Sequence, residues 1–121
     1  LILGSGWGDK EEGQKSRWLV GKTTRVFMNI EEINYKKLII EAEAIVKPQI
    51  VKVYVNKNYA GKIYFNNGKY LRQEIKIGRF LKPELNTIIL QAAYSYKLSK
   101  YIPSSKDNRL LSLRIRYLAL E

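Results

Sequence analysis

Histidine is absent from this chain, and so is cysteine. Without histidine there is no Ser-His-Asp triad, no Cys-His dyad, no histidine-based zinc site, and the commonest general base is missing. Without cysteine there is no disulfide or thiolate chemistry, which leaves the redox compartment undecided. Acidic residues are few: 11 Asp and Glu stand against 22 Lys and Arg, for a net charge of +11. Such a field draws polyanions of every kind, whether nucleic acid, anionic lipid headgroups or acidic polysaccharide. Excess lysine also serves solubility alone. Long apolar runs are missing too, none approaching the roughly 18 residues that span a bilayer, and no signal segment is visible. The "GSGWG" stretch precedes no helix, so it is neither a phosphate loop nor a dinucleotide fingerprint.

What remains is 45% apolar residues in 121 positions, enough for one packed core. The expectation is a single domain over residues 1–121. Because the chain starts at Leu1 rather than Met, it reads as a processed product or an excised domain, with room for membrane helices or enzyme modules upstream.

Period-two patterning dominates. In "QIVKVYVN" Val51, Val53 and Val55 share one face and Ile50, Lys52 and Tyr54 the other. In "KLIIEAEAI" Leu38, Ile40, Ala42 and Ala44 line up, with Glu41 and Glu43 opposite. In "LLSLRIRYL" Leu111, Leu113, Ile115 and Tyr117 face in, while Ser112, Arg114 and Arg116 face out. Alternation of this kind gives strands with one dry and one wet side. Turn residues in "NKNYAG" and "NNGK" separate the runs. About eight strands are predicted, near 16–20, 23–30, 37–46, 49–55, 60–65, 71–77, 85–93 and 110–119. The fold class is all-β, an antiparallel two-sheet β-sandwich of jelly-roll type. Residues 1–15 and the connection 94–108 read as irregular, and loops at the ends of a sandwich are where function usually sits.

Candidate site residues gather in those two stretches. Trp7 and Trp18 are the only tryptophans. An indole face suits a pyranose, but burial against the sandwich edge is the favoured reading, with Trp7 plugging one end. Glu12 with Arg17 or Arg109, and Asp107 with Arg109, form ion pairs that staple the two stretches together or a polar cluster that hydrogen-bonds a sugar. Tyr94, Tyr96 and Tyr101 lie among serines, which suits recognition or a self-packed loop. Asp9, Glu11, Glu12 and Asp107 supply hard oxygens for calcium, although they lack the spacing of a dedicated loop. Glu11 or Glu12 with Asp107 is the surviving pair for a carboxylate hydrolase. The basic set Arg25, Lys52, Lys62, Arg72, Lys76, Arg114 and Arg116 occupies outward strand positions. Spread over two sheets it is a solvated surface; concentrated on one it is an anion-binding face, with Phe27, Tyr54 and Tyr64 as interleaved aromatics.

Three motifs can be read in order: Gly6-Trp7, Glu11 or Glu12, then Gly13 with Arg17-Trp18; Gln49 to Asn56; and Ser105, Asp107, Arg109, Leu111 and Leu113. Together they resemble a β-sandwich domain at the C-terminal side of multi-pass membrane glycosyltransferases and related surface-polysaccharide proteins. The departures are "DKEE" for the Pro-Glu pair, an extra "QKS" before Arg17, and Lys57 after Asn56 where glycine is usual. The resemblance implies a galactose-binding-like, carbohydrate-module-like fold without catalysis of its own. It also implies an extracytoplasmic place beside a membrane-embedded enzyme, with glycan or lipid-linked sugar as partner. A structural or adhesive protein-interaction module and a polyanion or nucleic-acid binder are the alternatives.

Overall fold

A computed structural model describes residues 2–10, 16–31, 34–102, 104–106 and 108–121. Eleven strands are formed among them: β1 (Ile2–Leu3), β2 (Trp7–Lys10), β3 (Arg17–Val20), β4 (Thr23–Ile30), β5 (Lys37–Ala44), β6 (Gln49–Val55), β7 (Asn58–Phe65), β8 (Leu71–Lys76), β9 (Glu84–Ala92), β10 (Tyr96–Lys97) and β11 (Leu110–Leu120). They build two antiparallel sheets. The first has the order β1-β4-β9-β6-β7, and the second β2-β3-β11-β5-β8, with β10 added against the start of β11. The expected β-sandwich is what forms. Each of the eight predicted strands corresponds to an observed one.

The alternation predicted from side chains is what closes the sandwich. Val51, Val53 and Val55 are fully buried, as are Leu38, Ile40 and Ala42, and they meet Ile88, Leu90, Phe65 and Leu113 in one core between the sheets. Covering side chains of this size contributes roughly 1.5–3 kcal/mol each, which sets the register of every strand whose face is dry.

Two assignments in β11 need correction, Tyr117 read inward and Ser112 read outward. Strand β11 is interrupted twice, with register shifts between Leu111 and Leu113 and between Ile115 and Tyr117. An extra residue at each shift turns the following side chains to the other face. Tyr117 therefore pairs with Glu41 and lies 42% exposed, while Leu118 and Leu120 pack on the core instead. Leu111 is fully buried, yet outside the central core. Ser112, expected outward, is buried, and its hydroxyl donates to the Leu19 carbonyl at 3.2 Å.

The stretches read as irregular contain short pieces of order. Residues 1–15 hold β1 and β2, and the 94–108 connection holds β10 and a four-residue helix, α1 (Leu98–Tyr101). The β1 and β10 segments are two residues long, below what a periodicity argument can register. Among the described residues, no helix is long and apolar enough to cross a membrane.

Candidate functional site

The buried Gln49 side chain fixes where the 94–108 connection begins. Its amide donates to the carbonyls of Tyr94 (2.8 Å) and Ser112 (3.0 Å), and its oxygen accepts from the backbone N–H of Tyr94 (3.1 Å) and of Ile50 (3.2 Å). A buried amide satisfied on both ends is a strong register pin. From that point the chain carries three rings into one cluster. Tyr96 is buried and stands 6.4 Å from Tyr94 and 5.5 Å from Tyr101, the latter edge-on at 87°. Lys47, on the turn before β6, places its ammonium 4.4 Å from the centre of the Tyr94 ring. Tyr94 and Tyr101 keep 39% and 46% of their surface open to water. The loop is thus neither wholly self-packed nor wholly displayed: one ring is a pedestal and two are open.

The second gathering is at Gly8. Arg17 donates from Nη1 to the Gly8 carbonyl at 3.2 Å, and a β-carbon added at Gly8 would stand 3.1 Å from Nη1 of Arg109. Both guanidinium groups named from the sequence therefore converge on one residue of β2. Their expected partners Glu12 and Asp107, together with Glu11, lie outside the described residues, as does the side chain of Asp9. The staple, the calcium set and the carboxylate pair all involve those positions. Among the described residues, no group of three or more acids, histidines or cysteines could hold a metal ion.

Trp7 has a structural place. Its ring packs against the core and its indole N–H donates to the Arg25 carbonyl at 2.9 Å, tying β2 of one sheet to β4 of the other. Trp18 is buried on the outward side of the second sheet, beneath the Arg114 guanidinium at 4.4 Å. Arg114 also reaches Glu43 at 3.5 Å. Neither indole offers an open face of the kind that Tyr94 and Tyr101 offer.

The basic set divides between the sheets. On the second, Arg114 pairs with Glu43, Arg116 with Glu41 and Arg72 with Glu121, while Lys76 at the end of β8 is exposed with no ion pair among the described residues; Lys37, outside that set, pairs with Glu74. Arg25, Lys52 and Lys62 stand on the outward side of the first. Sequence reasoning passed over Lys47 and Gln49 as site residues. Gln49 precedes an alternating run and was legible only as part of a motif; Lys47 sits in a turn with no periodicity to mark it.

No protein-family model matches the chain, and no curated protein matches it. Solved structures do. The chain is similar to the CBM36-1 domain of a multidomain xylanase from the hindgut metagenome of Trinervitermes trinervoides, with a TM-score of 0.54 at 10% identity, covering 95% of this chain and 89% of that one. It is similar to a family 35 carbohydrate-binding module from an environmental isolate, with a TM-score of 0.58 at 16% identity over 98% and 74%. A third is the carbohydrate-binding module CBM36 in complex with calcium and xylotriose, with a TM-score of 0.53 at 8% identity over 98% and 93%. At these identities the likeness establishes the jelly-roll sandwich architecture that the chain shares with such modules.

Proposed function

We propose that the chain is a non-catalytic glycan-binding accessory module whose contact surface is the tyrosine cluster of the 94–108 connection. One observation carries this reading: two open rings, Tyr94 and Tyr101, are held by a buried third, Tyr96, with a lysine ammonium beside them. Flat, pre-positioned aromatic surface stacks on the apolar face of a pyranose, and adjacent donors reach its hydroxyls. Rigid rings lose little entropy on binding. The resemblance of fold to modules that include one solved with xylotriose supports the same class of ligand.

We place this module, on the three-part motif order alone, beside a membrane-embedded glycosyltransferase-type enzyme on the extracytoplasmic side, where it positions glycan or caps the outer face. A structural calcium on Asp9, Glu11 and Asp107 belongs to the same reading, and a melting temperature that is indifferent to added calcium removes it. The second reading, a protein-interaction module without sugar, is favoured by Trp7 and Trp18, both of which serve packing.

A glycan array separates the two. Wild type is expected to retain a defined subset of neutral glycans, and a Tyr94→Ala/Tyr101→Ala variant of unchanged melting temperature to lose about tenfold in affinity for them. Binding that the double variant leaves intact, or no retained glycan at all, overturns the glycan reading.

A further inference from the structure

The outward face of the first sheet carries charge that no ion pair among the described residues balances. Register aligns its side chains in rows across β4, β9, β6 and β7. One row runs Arg25, Ile89, Tyr54, Tyr59, and the next Thr23, Gln91, Lys52, Lys62; beyond that, Ile50 stands opposite Tyr64. Successive rows lie about 7 Å apart and four strands span about 14 Å. Tyr59 and Tyr64 are about half exposed, and the Tyr54 and Tyr59 rings sit 5.5 Å apart. Thr23, Ile50, Lys52 and Gln91, joined by Lys22 and Ala93, line a shallow depression at one end of the face.

Lys52 and Lys62 face each other directly across adjacent strands. Like charges so placed repel and destabilise a sheet. The four strands contain one acid, Glu84, seven residues along β9 from Gln91, and among the described residues no ion pair reaches Arg25, Lys52 or Lys62. Lys62 instead keeps its ammonium 5.8 Å from the centre of the Tyr64 ring, and its interaction with the Tyr64 side chain raises its pKa above the ordinary lysine value. On the second sheet four cations, Lys37, Arg72, Arg114 and Arg116, each meet a carboxylate, whereas none of Arg25, Lys52 and Lys62 does so among the described residues.

We infer that this face binds an acidic polysaccharide, with the Lys52–Lys62 pair taking its carboxylate or sulfate groups and Tyr54, Tyr59 and Tyr64 taking its rings. Charge complementarity selects an anion, the tyrosine rows select a chain of flat-faced units, and the Gln91 amide and Thr23 hydroxyl suit sugar hydroxyls. A nucleic-acid strand is served less well, because three or four cations neutralise far fewer phosphates than the 6–10 contacts typical of binders of that kind. This face adjoins the Tyr94 cluster through Ala93, but the Lys52–Lys62 pair stands on the sheet itself, and the inference holds whether or not the proposal made for that cluster does.

The test is calorimetric titration of the whole chain with alginate oligomers, a neutral mannan of equal length and an oligo-dT strand. Wild type is expected to bind alginate, and the affinity to fall with log salt at a slope near −2 to −3, as for about three or four counterions released. Lys52→Gln/Lys62→Gln is expected to weaken alginate about tenfold and Lys52→Arg/Lys62→Arg to restore it. Lys36→Gln/Lys76→Gln removes the same charge elsewhere and is expected to change alginate affinity less than twofold. An equal loss in that control would mean diffuse attraction and overturn the inference. So would tighter binding of oligo-dT, equal binding of the neutral mannan, or no alginate binding.

Discussion

Gln49 carries more of the candidate site than its modest side chain suggests. Four hydrogen bonds leave it, two of them to Tyr94, so its removal strands buried donors and acceptors at the root of the tyrosine loop. Gln49→Ala is expected to cost about 3 kcal/mol in urea unfolding, since each abandoned buried group costs roughly 1–3 kcal/mol and relaxation recovers part. A loss under about 1 kcal/mol would contradict the pinning role. Tyr96 gives the opposite expectation. Its hydroxyl is buried and has no hydrogen-bond partner among the described residues, so Tyr96→Phe sheds an unsatisfied group while keeping the ring. The variant is expected to be as stable as wild type or up to about 1 kcal/mol more stable by thermal unfolding; a clear loss would mean that the oxygen has a role as a partner.

At the scale of elements, β11 is the strand whose behaviour departs most from its letters. Read at strict period two, Tyr117 belongs to the core; the shift after Ile115 gives that place to Leu118. Leu118→Ala is accordingly expected to cost about 1–2 kcal/mol in denaturant unfolding, and Tyr117→Ala, which removes a half-open ring with Arg72 5.5 Å above it, less than about 0.5 kcal/mol. The reverse order would restore the unbulged reading. A bulge leaves no trace in hydrophobic pattern because it is fixed by pairing with β5 and β3, which are distant in sequence. The same reasoning explains what else was and was not legible. Val51, Val53 and Val55 declared their face because one sheet must be dry there. The convergence of Arg17 and Arg109 on Gly8 exists only once β2, β3 and β11 lie side by side, β1 and β10 exist only through pairing with β4 and β11, and Lys47 is marked only by the Tyr94 ring it meets. The packing role of the tryptophans was the favoured reading from the sequence, whereas which tyrosines stand open was not legible there. Trp7 ties the sheets together, and the open rings belong to Tyr94 and Tyr101.

For the molecule as a whole, the net charge of +11 is distributed unevenly in its effect. Among the described residues, four ion pairs offset cations of the second sheet and none reaches Arg25, Lys52 or Lys62 on the first, which gives a compositional bias a direction. Lys62 sets its pH range: with its value raised by Tyr64, the ammonium is present below the usual lysine range and is lost only as pH climbs through the shifted value, above 10.5. Alginate binding is therefore expected to stay level from about pH 6 to about pH 9 and to weaken only beyond that, as followed by titration at each pH. A fall centred near neutrality would assign the binding to some other group.

If the sandwich offers pre-positioned open rings to a sugar, amide chemical-shift mapping of the isotope-labelled chain with xylotriose will show it. The expected result is a saturable shift confined to residues 94–101 and the turn around Lys47, with the core strands unmoved. Saturating sugar that shifts nothing, or that shifts only residues remote from those rings, would contradict it.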